Sequence, residues 1–116
     1  MTLIRSEEKF YRIFDLLSKK GPDISIGKMM SSPGIKYKSK VIAFYHNDEM
    51  IFRIGKKIDL TKHGIKNPKY LSPFKSKLPM TGWICLSYSD EKRWEEFTEI
   101  ALNVMRSEID LKPKIN

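Results

Sequence analysis

The side chains that could do chemistry in this chain are few and scattered. His46 and His63 stand seventeen residues apart, with no Cys or His partner at ligand spacing. That is not the pattern of a metal site. Cys85 is the single cysteine and lies among apolar neighbours, where a thiol behaves as a small buried hydrophobe unless a base activates it. The adjacent acids Asp48-Glu49 and Glu95-Glu96 are neighbours along the chain rather than opposed across a pocket, so nothing separates their pKa values into an acid and a base. Ser31-Ser32-Pro33-Gly34 could cradle phosphate, but no second glycine or Lys-Ser/Thr pair follows, and Pro33-Gly34 suits a type II turn. No catalytic, cofactor or metal residue is assigned on this basis. The chain reads as a binding protein rather than an enzyme.

The charge is more informative. The net charge is +8, and residues 19–80 carry fourteen bases against four acids. The excess is densest in Lys56, Lys57, Lys62, Lys66, Lys69, Lys75 and Lys77, faced only by Asp59 and interleaved with Tyr70 and Phe74. Lysines with aromatic platforms can hold a nucleic-acid backbone without reading sequence. Arginine, the commonest reader of guanine, is missing between residues 54 and 92, so any such binding is expected to be sequence-blind. Seventeen of the 22 bases are Lys and only two residues are Ala. An A+T-rich coding bias therefore accounts for the charge as well as an anionic partner does.

The elements that must position these groups centre on Ile35–Ile54. Val41–Tyr45 and Met50–Ile54 are rich in β-branched and aromatic residues on either side of His46-Asn47-Asp48-Glu49. A two-residue loop at Asn47-Asp48 pairs Tyr45 with Met50, Ala43 with Phe52 and Val41 with Ile54. Alternation puts these six on one face. His46 and Glu49, Phe44 and Ile51, and Ile42 and Arg53 then share the other. A shift of one residue would oppose Phe44 to Arg53, so the pattern selects its register.

Around that hairpin, Phe10, Ile13, Phe14 and Leu17 form one helical stripe over residues 6–20. Ser6 is expected as N-cap and Gly21 as the left-handed residue that ends the helix. Asp23–Ser32 reads as a strand, Ile58–His63 as a short helix stopped by Gly64, Tyr70–Phe74 as an edge strand and Gly82–Tyr88 as a strand apolar on both faces. Ser89 or Asp90 is expected to cap a last helix whose stripe is Trp94, Phe97, Ile100, Ala101 and Val104. Residues 110–116, with Pro113, read as a frayed tail. The 116 residues make one α+β domain of two layers, a mainly antiparallel sheet with helices on one face. Ile42, Phe44 and Ile51 then grease the other face. Either the Lys56–Lys77 segment or a second copy in a homodimer is expected to cover it, and the three residues are candidates for a protein interface. No apolar run approaches the ~18 residues that span a bilayer. With no secretory signal pattern at the start and a lone cysteine, a cytoplasmic protein is expected.

Several segments together resemble one family. They are Gly27-Lys28-Met29-Met30-Ser31-Ser32-Pro33-Gly34-Ile35, the Lys40–Phe44 and Met50–Ile54 strands, Pro73-Phe74, and Leu78-Pro79-Met80 leading to Trp83-Ile84. The family is the N-terminal domain of the competence regulator TfoX (Sxy), in its small stand-alone form, and the resemblance covers about 26–105. Ser31 and Ser39 depart from it, standing where the family often has Gly. The resemblance implies the order α-β(3)-α-β(2)-α, similar to type III secretion chaperones and YjbR-like proteins. Its full-length namesake activates competence genes alongside a cyclic-AMP receptor protein, through a chain with a second domain that these residues do not contain. The resemblance supplies no catalytic residues. The function expected is a small non-enzymatic binding or regulatory module. The alternatives are a nonspecific nucleic-acid binder acting through the 56–77 lysines and a chaperone-like adaptor using the open sheet face.

Overall fold

A computed structural model of the chain describes residues 4–72 and 80–110. Helix α1 (Arg5–Ser18) precedes four strands, β1 (Ile24–Met29), β2 (Ser32–Tyr37), β3 (Lys40–His46) and β4 (Glu49–Arg53). A 3-10 turn over Leu60–His63 leads to β5 (Lys69–Leu71) and β6 (Met80–Ser87), and α2 (Trp94–Asp110) closes the order. Among the described residues the strands form one antiparallel sheet in the order β1-β2-β3-β4-β6-β5, with both helices packed on one side. This is the two-layer α+β fold expected. Its first run holds four strands rather than three, because Ile35–Tyr45 is broken at Lys38-Ser39 into β2 and β3.

The central hairpin has the expected register: Ala43 faces Phe52, Phe44 faces Ile51, Tyr45 faces Met50 and His46 faces Glu49. Asn47 and Asp48 both take positive φ, 47° and 62°, the two-residue turn whose twist matches the flanking strands. The turn before β2 is a correction. Met30 and Ser31 form it, with φ of 50° and 71°, while Pro33 and Gly34 lie inside β2. Gly34 is needed there for space: a Cβ on it would meet the Ala43 carbonyl oxygen at 3.1 Å and Phe44 Cβ at 3.3 Å.

That crowding marks a bulge. Ile35 pairs with Ala43 but Lys36 pairs with Val41, leaving Ile42 as the extra residue of β3. Ile42 and Ala43 therefore both turn toward the helices. Ile42 is completely buried in the main core with Phe10, Phe52 and Phe97. Val41 is displaced to the opposite side, against Phe44 and Ile51. The alternation expected from sequence exchanged these two positions, and Ile42 is not a surface residue of the sheet.

Helix α1 buries Phe10, Ile13 and Leu17 as its spacing predicts, while Phe14, the fourth residue of that stripe, is only half-buried. Its N-cap is Ile4, with no side-chain cap, and Ser6 has a different task. The buried Ser6 hydroxyl bonds the Tyr45 hydroxyl at 2.6 Å and donates to the Asp48 carboxylate, tying the helix start to the β3–β4 turn. Gly21 does not adopt a positive φ, and the helix ends at Lys19 with right-handed geometry. Before α2 the chain makes a 3-10 turn over Tyr88–Arg93, so neither Ser89 nor Asp90 caps the helix directly. Trp94, Phe97 and Ala101 are buried as expected, joined by Thr98, Leu102 and Met105. Ile100 and Val104 are only half-buried, because α2 presents a face rotated toward Met105. Trp94 Nε1 donates to the Leu86 carbonyl at 3.1 Å and locks α2 to the end of β6.

The bulge has an energetic signature. Ile42→Ala should cost about 2–5 kcal/mol in a denaturant titration, as core truncations do. Val41→Ala, at a half-buried site, should cost no more than about 1.5 kcal/mol. Equal costs at the two positions would contradict the bulge.

Candidate functional site

The basic segment is held by three local devices. Gly55, at φ 76°, turns the chain out of β4 while its amide donates to the Gly82 carbonyl at 3.1 Å. Asp59 caps the 3-10 turn, accepting from the Thr61 amide at 3.1 Å and the Thr61 hydroxyl at 2.6 Å. Gly64, at φ 79°, ends that turn as its sequence position predicts. Arg93 then clamps the turn to α2. Its guanidinium donates to the His63 carbonyl and to both Glu96 oxygens, at 2.9 and 3.0 Å, and lies over the Phe97 ring. The His63 ring stands edge-on to Phe97, with Nδ1 3.7 Å from Glu96. His63 is thus part of the contact that docks the 3-10 turn on α2.

The clamp sets out the lysines. Lys56, Lys57, Lys62 and Lys66 are exposed and make no ion pair with any described residue. Lys69 differs: its ammonium sits 2.8 Å from Glu49, which raises its pKa. Lys75 and Lys77 lie outside the described residues. The row of seven therefore divides, and Lys69 belongs to a different neighbourhood from Lys56 and Lys57.

Lys56 and Lys57 edge a cleft of about 950 Å³ between the ends of β4 and β6 and the second half of α2. Its walls are mainly apolar, with Ile58, Val104 and the half-buried Trp83, and Met80 stands 42% exposed beside them. Arg53 also lines the cleft, but Glu108 engages it through both carboxylate oxygens. Among the described residues, the two lysines are the cations left to meet a ligand there. Such a cleft, greasy within and basic at its lip, has the chemistry to take an anionic amphiphilic ligand. Sequence reasoning missed it: Trp83 looked like an ordinary strand residue, Met80 stood before the strand expected over Gly82–Tyr88, and only folding brings them beside Lys56.

The far side of the sheet carries a second, smaller core. Phe44 and Ile51 are each 2% exposed, packed with Leu71, Cys85, Val41, Met29 and Trp83. Leu71 comes from the 56–77 segment, but as part of β5 it lies in the sheet beside β6 and widens this face rather than folding under it. Phe44 and Ile51 form the floor of a cavity of about 380 Å³, not an open patch. Ser32, His46, Glu49 and Lys69 rim it. His46 faces Glu49 across the hairpin, yet its Nδ1 meets the Ser32 hydroxyl at 3.1 Å while Glu49 takes Lys69. Burial, aided by the Glu49 charge, pushes the Cys85 thiol up to about 11. This is the reverse of an activated nucleophile. Among the described residues no three His, Cys, Asp or Glu side chains gather as a metal site, and no helix is long and apolar enough to cross a membrane.

No family model, curated protein or solved structure matches the chain. Fold and site together define the class: a two-layer α+β domain with a basic-lipped apolar cleft at the open end of its sheet.

Two measurements test this electrostatic picture. At pH 8 the native Cys85 should react with a disulfide reagent roughly 100-fold more slowly than after unfolding, since a pKa two units higher leaves that much less thiolate. Arg93 holds Glu96, and Thr61 holds Asp59, below the ordinary carboxylate range. Folded values that are depressed contribute stability above the unfolded values near 4, and that contribution is lost as pH falls through the folded ones. Amide exchange over residues 60–65 should therefore quicken below about pH 4 relative to the sheet. Glu96→Gln should abolish much of that pH dependence.

Proposed function

We propose that the chain is a non-enzymatic binding or regulatory module of the TfoX N-terminal type, working in the cytoplasm, and that it holds its partner in the cleft between β4, β6 and α2. One observation carries the reading. The cleft joins an exposed Met80 and a half-buried Trp83, side chains favoured at protein-binding surfaces, to two lysines with no acid of their own among the described residues. The element order fits the order that family implies only in outline: the first run has four strands rather than three, and a 3-10 turn stands where the middle helix is expected. An adaptor of this kind works through the cleft rather than through Ile42, Phe44 and Ile51, which are buried within the subunit.

A second reading has its own observation. Lys56, Lys57, Lys62 and Lys66 are exposed and unpaired among the described residues, the arrangement that releases counterions from a polynucleotide. Capture from host lysate, with and without nuclease, separates the two. On the cleft reading, a nuclease-resistant partner is retained and Met80→Asp reduces its capture at least about fivefold, a change expected for an interface anchor. On the nucleic-acid reading, Met80→Asp is silent. Capture is then lost to nuclease, to about 200 mM salt and to the Lys56→Glu/Lys57→Glu pair.

A further inference from the structure

Among the described residues, the two edges of the sheet are unlike. β5 has three residues, follows Pro68 and carries a register shift against β6. These features discourage further strand addition. β1 has six residues, no proline and an unbroken ladder with β2. It presents Ile26 41% exposed. We propose that β1 is the docking edge for a second copy of this chain, pairing antiparallel about a two-fold axis through Ile26 to make one continuous sheet.

The phase of the backbone selects that register. The Asp23 carbonyl accepts from the Lys38 amide at 2.8 Å, so it points toward β2. Alternation then directs the backbone groups of Ser25, Gly27 and Met29 inward and those of Ile24, Ile26 and Lys28 outward. An axis at Ile26 sets Ile26 against its own counterpart and Ile24 against Lys28, forming six N–H···O bonds from three outward residues. An axis at Lys28 would oppose two ammonium groups. An axis at Ile24 would bring Pro22, which has no amide, opposite Ile26. Only the Ile26 axis uses every outward donor and acceptor, and it is self-complementary as a two-fold interface must be.

Lys9 pairs with Glu91, so one flank of α1 faces the α2 side, and Lys20, just past the helix end, pairs with Glu99. Tyr11 and Phe14 lie roughly 140–200° around the helix from Lys9, away from that flank, and both are half-buried against the main core. The contact between copies therefore rests on β1 itself.

The test uses the full chain in a Cys85→Ser background, with one new cysteine at a time. Ile26→Cys should cross-link to a covalent dimer under mild oxidation. Lys28→Cys should not, because two copies of residue 28 would lie about 13 Å apart in this register, beyond disulfide reach. Independently, Ile26→Pro removes the central outward amides, at an edge position where proline is tolerated within the subunit. It should leave the circular dichroism unchanged while sedimentation velocity shifts from dimer to monomer. A wild-type monomer at several hundred micromolar, equal cross-linking at both positions, or a dimer that survives Ile26→Pro would each overturn the proposal.

Discussion

The bulge at Ile42 is the constraint on which the rest of the structure depends. One extra residue in β3 changes which side chains go to which layer. It places Ile42 beside Ala43 under the helices, where the main core gathers Phe10, Phe52, Trp94 and Phe97. It also sends Val41 to the far side, enlarging the second cluster around Phe44 and Ile51. Gly34 makes this affordable, since a side chain there would collide with the β3 backbone at the point where it kinks. A sheet with one helical layer ordinarily leaves its other face to water. Here both faces are apolar at the centre, and the sheet is held by a large core on one side and a small one on the other.

Polar contacts then fasten the periphery to this centre. Ser6, Tyr45 and Asp48 anchor α1 to the β3–β4 turn, Arg93 and Glu96 dock the 3-10 turn onto α2, and Lys38 pairs with Asp110 at the end of that helix. Each ties a turn to a helix rather than one helix to another. The Arg93–Glu96 and Lys38–Asp110 ion pairs are exposed and individually weak, so their effect is to choose one position for a connecting segment rather than to supply much of the stability. The consequence for function is the cleft. With the segment after β4 fixed by Gly55 and Asp59, Lys56 and Lys57 stay at its lip instead of sweeping through solvent.

The sequence by itself determined the two-layer architecture, the β3–β4 register and turn, the α1 stripe, the edge position of β5 and the Gly64 stop. All of these rest on local chemistry: the period of apolar residues, the tolerance of Asn, Asp and Gly for positive φ, and the cost of exposing a mismatched face. Tertiary structure alone decided what local chemistry leaves degenerate. Met30-Ser31 becomes a turn because the β1–β2 ladder closes there, although neither residue favours that backbone. Ser6 looks like a cap until Tyr45 and Asp48 arrive from forty residues away. Ile42 exchanges faces with Val41 because the bulge is a property of two strands in contact. The cleft likewise joins residues 53–58, 80–83 and 104–108, whose meeting has no trace in any one stretch of chain.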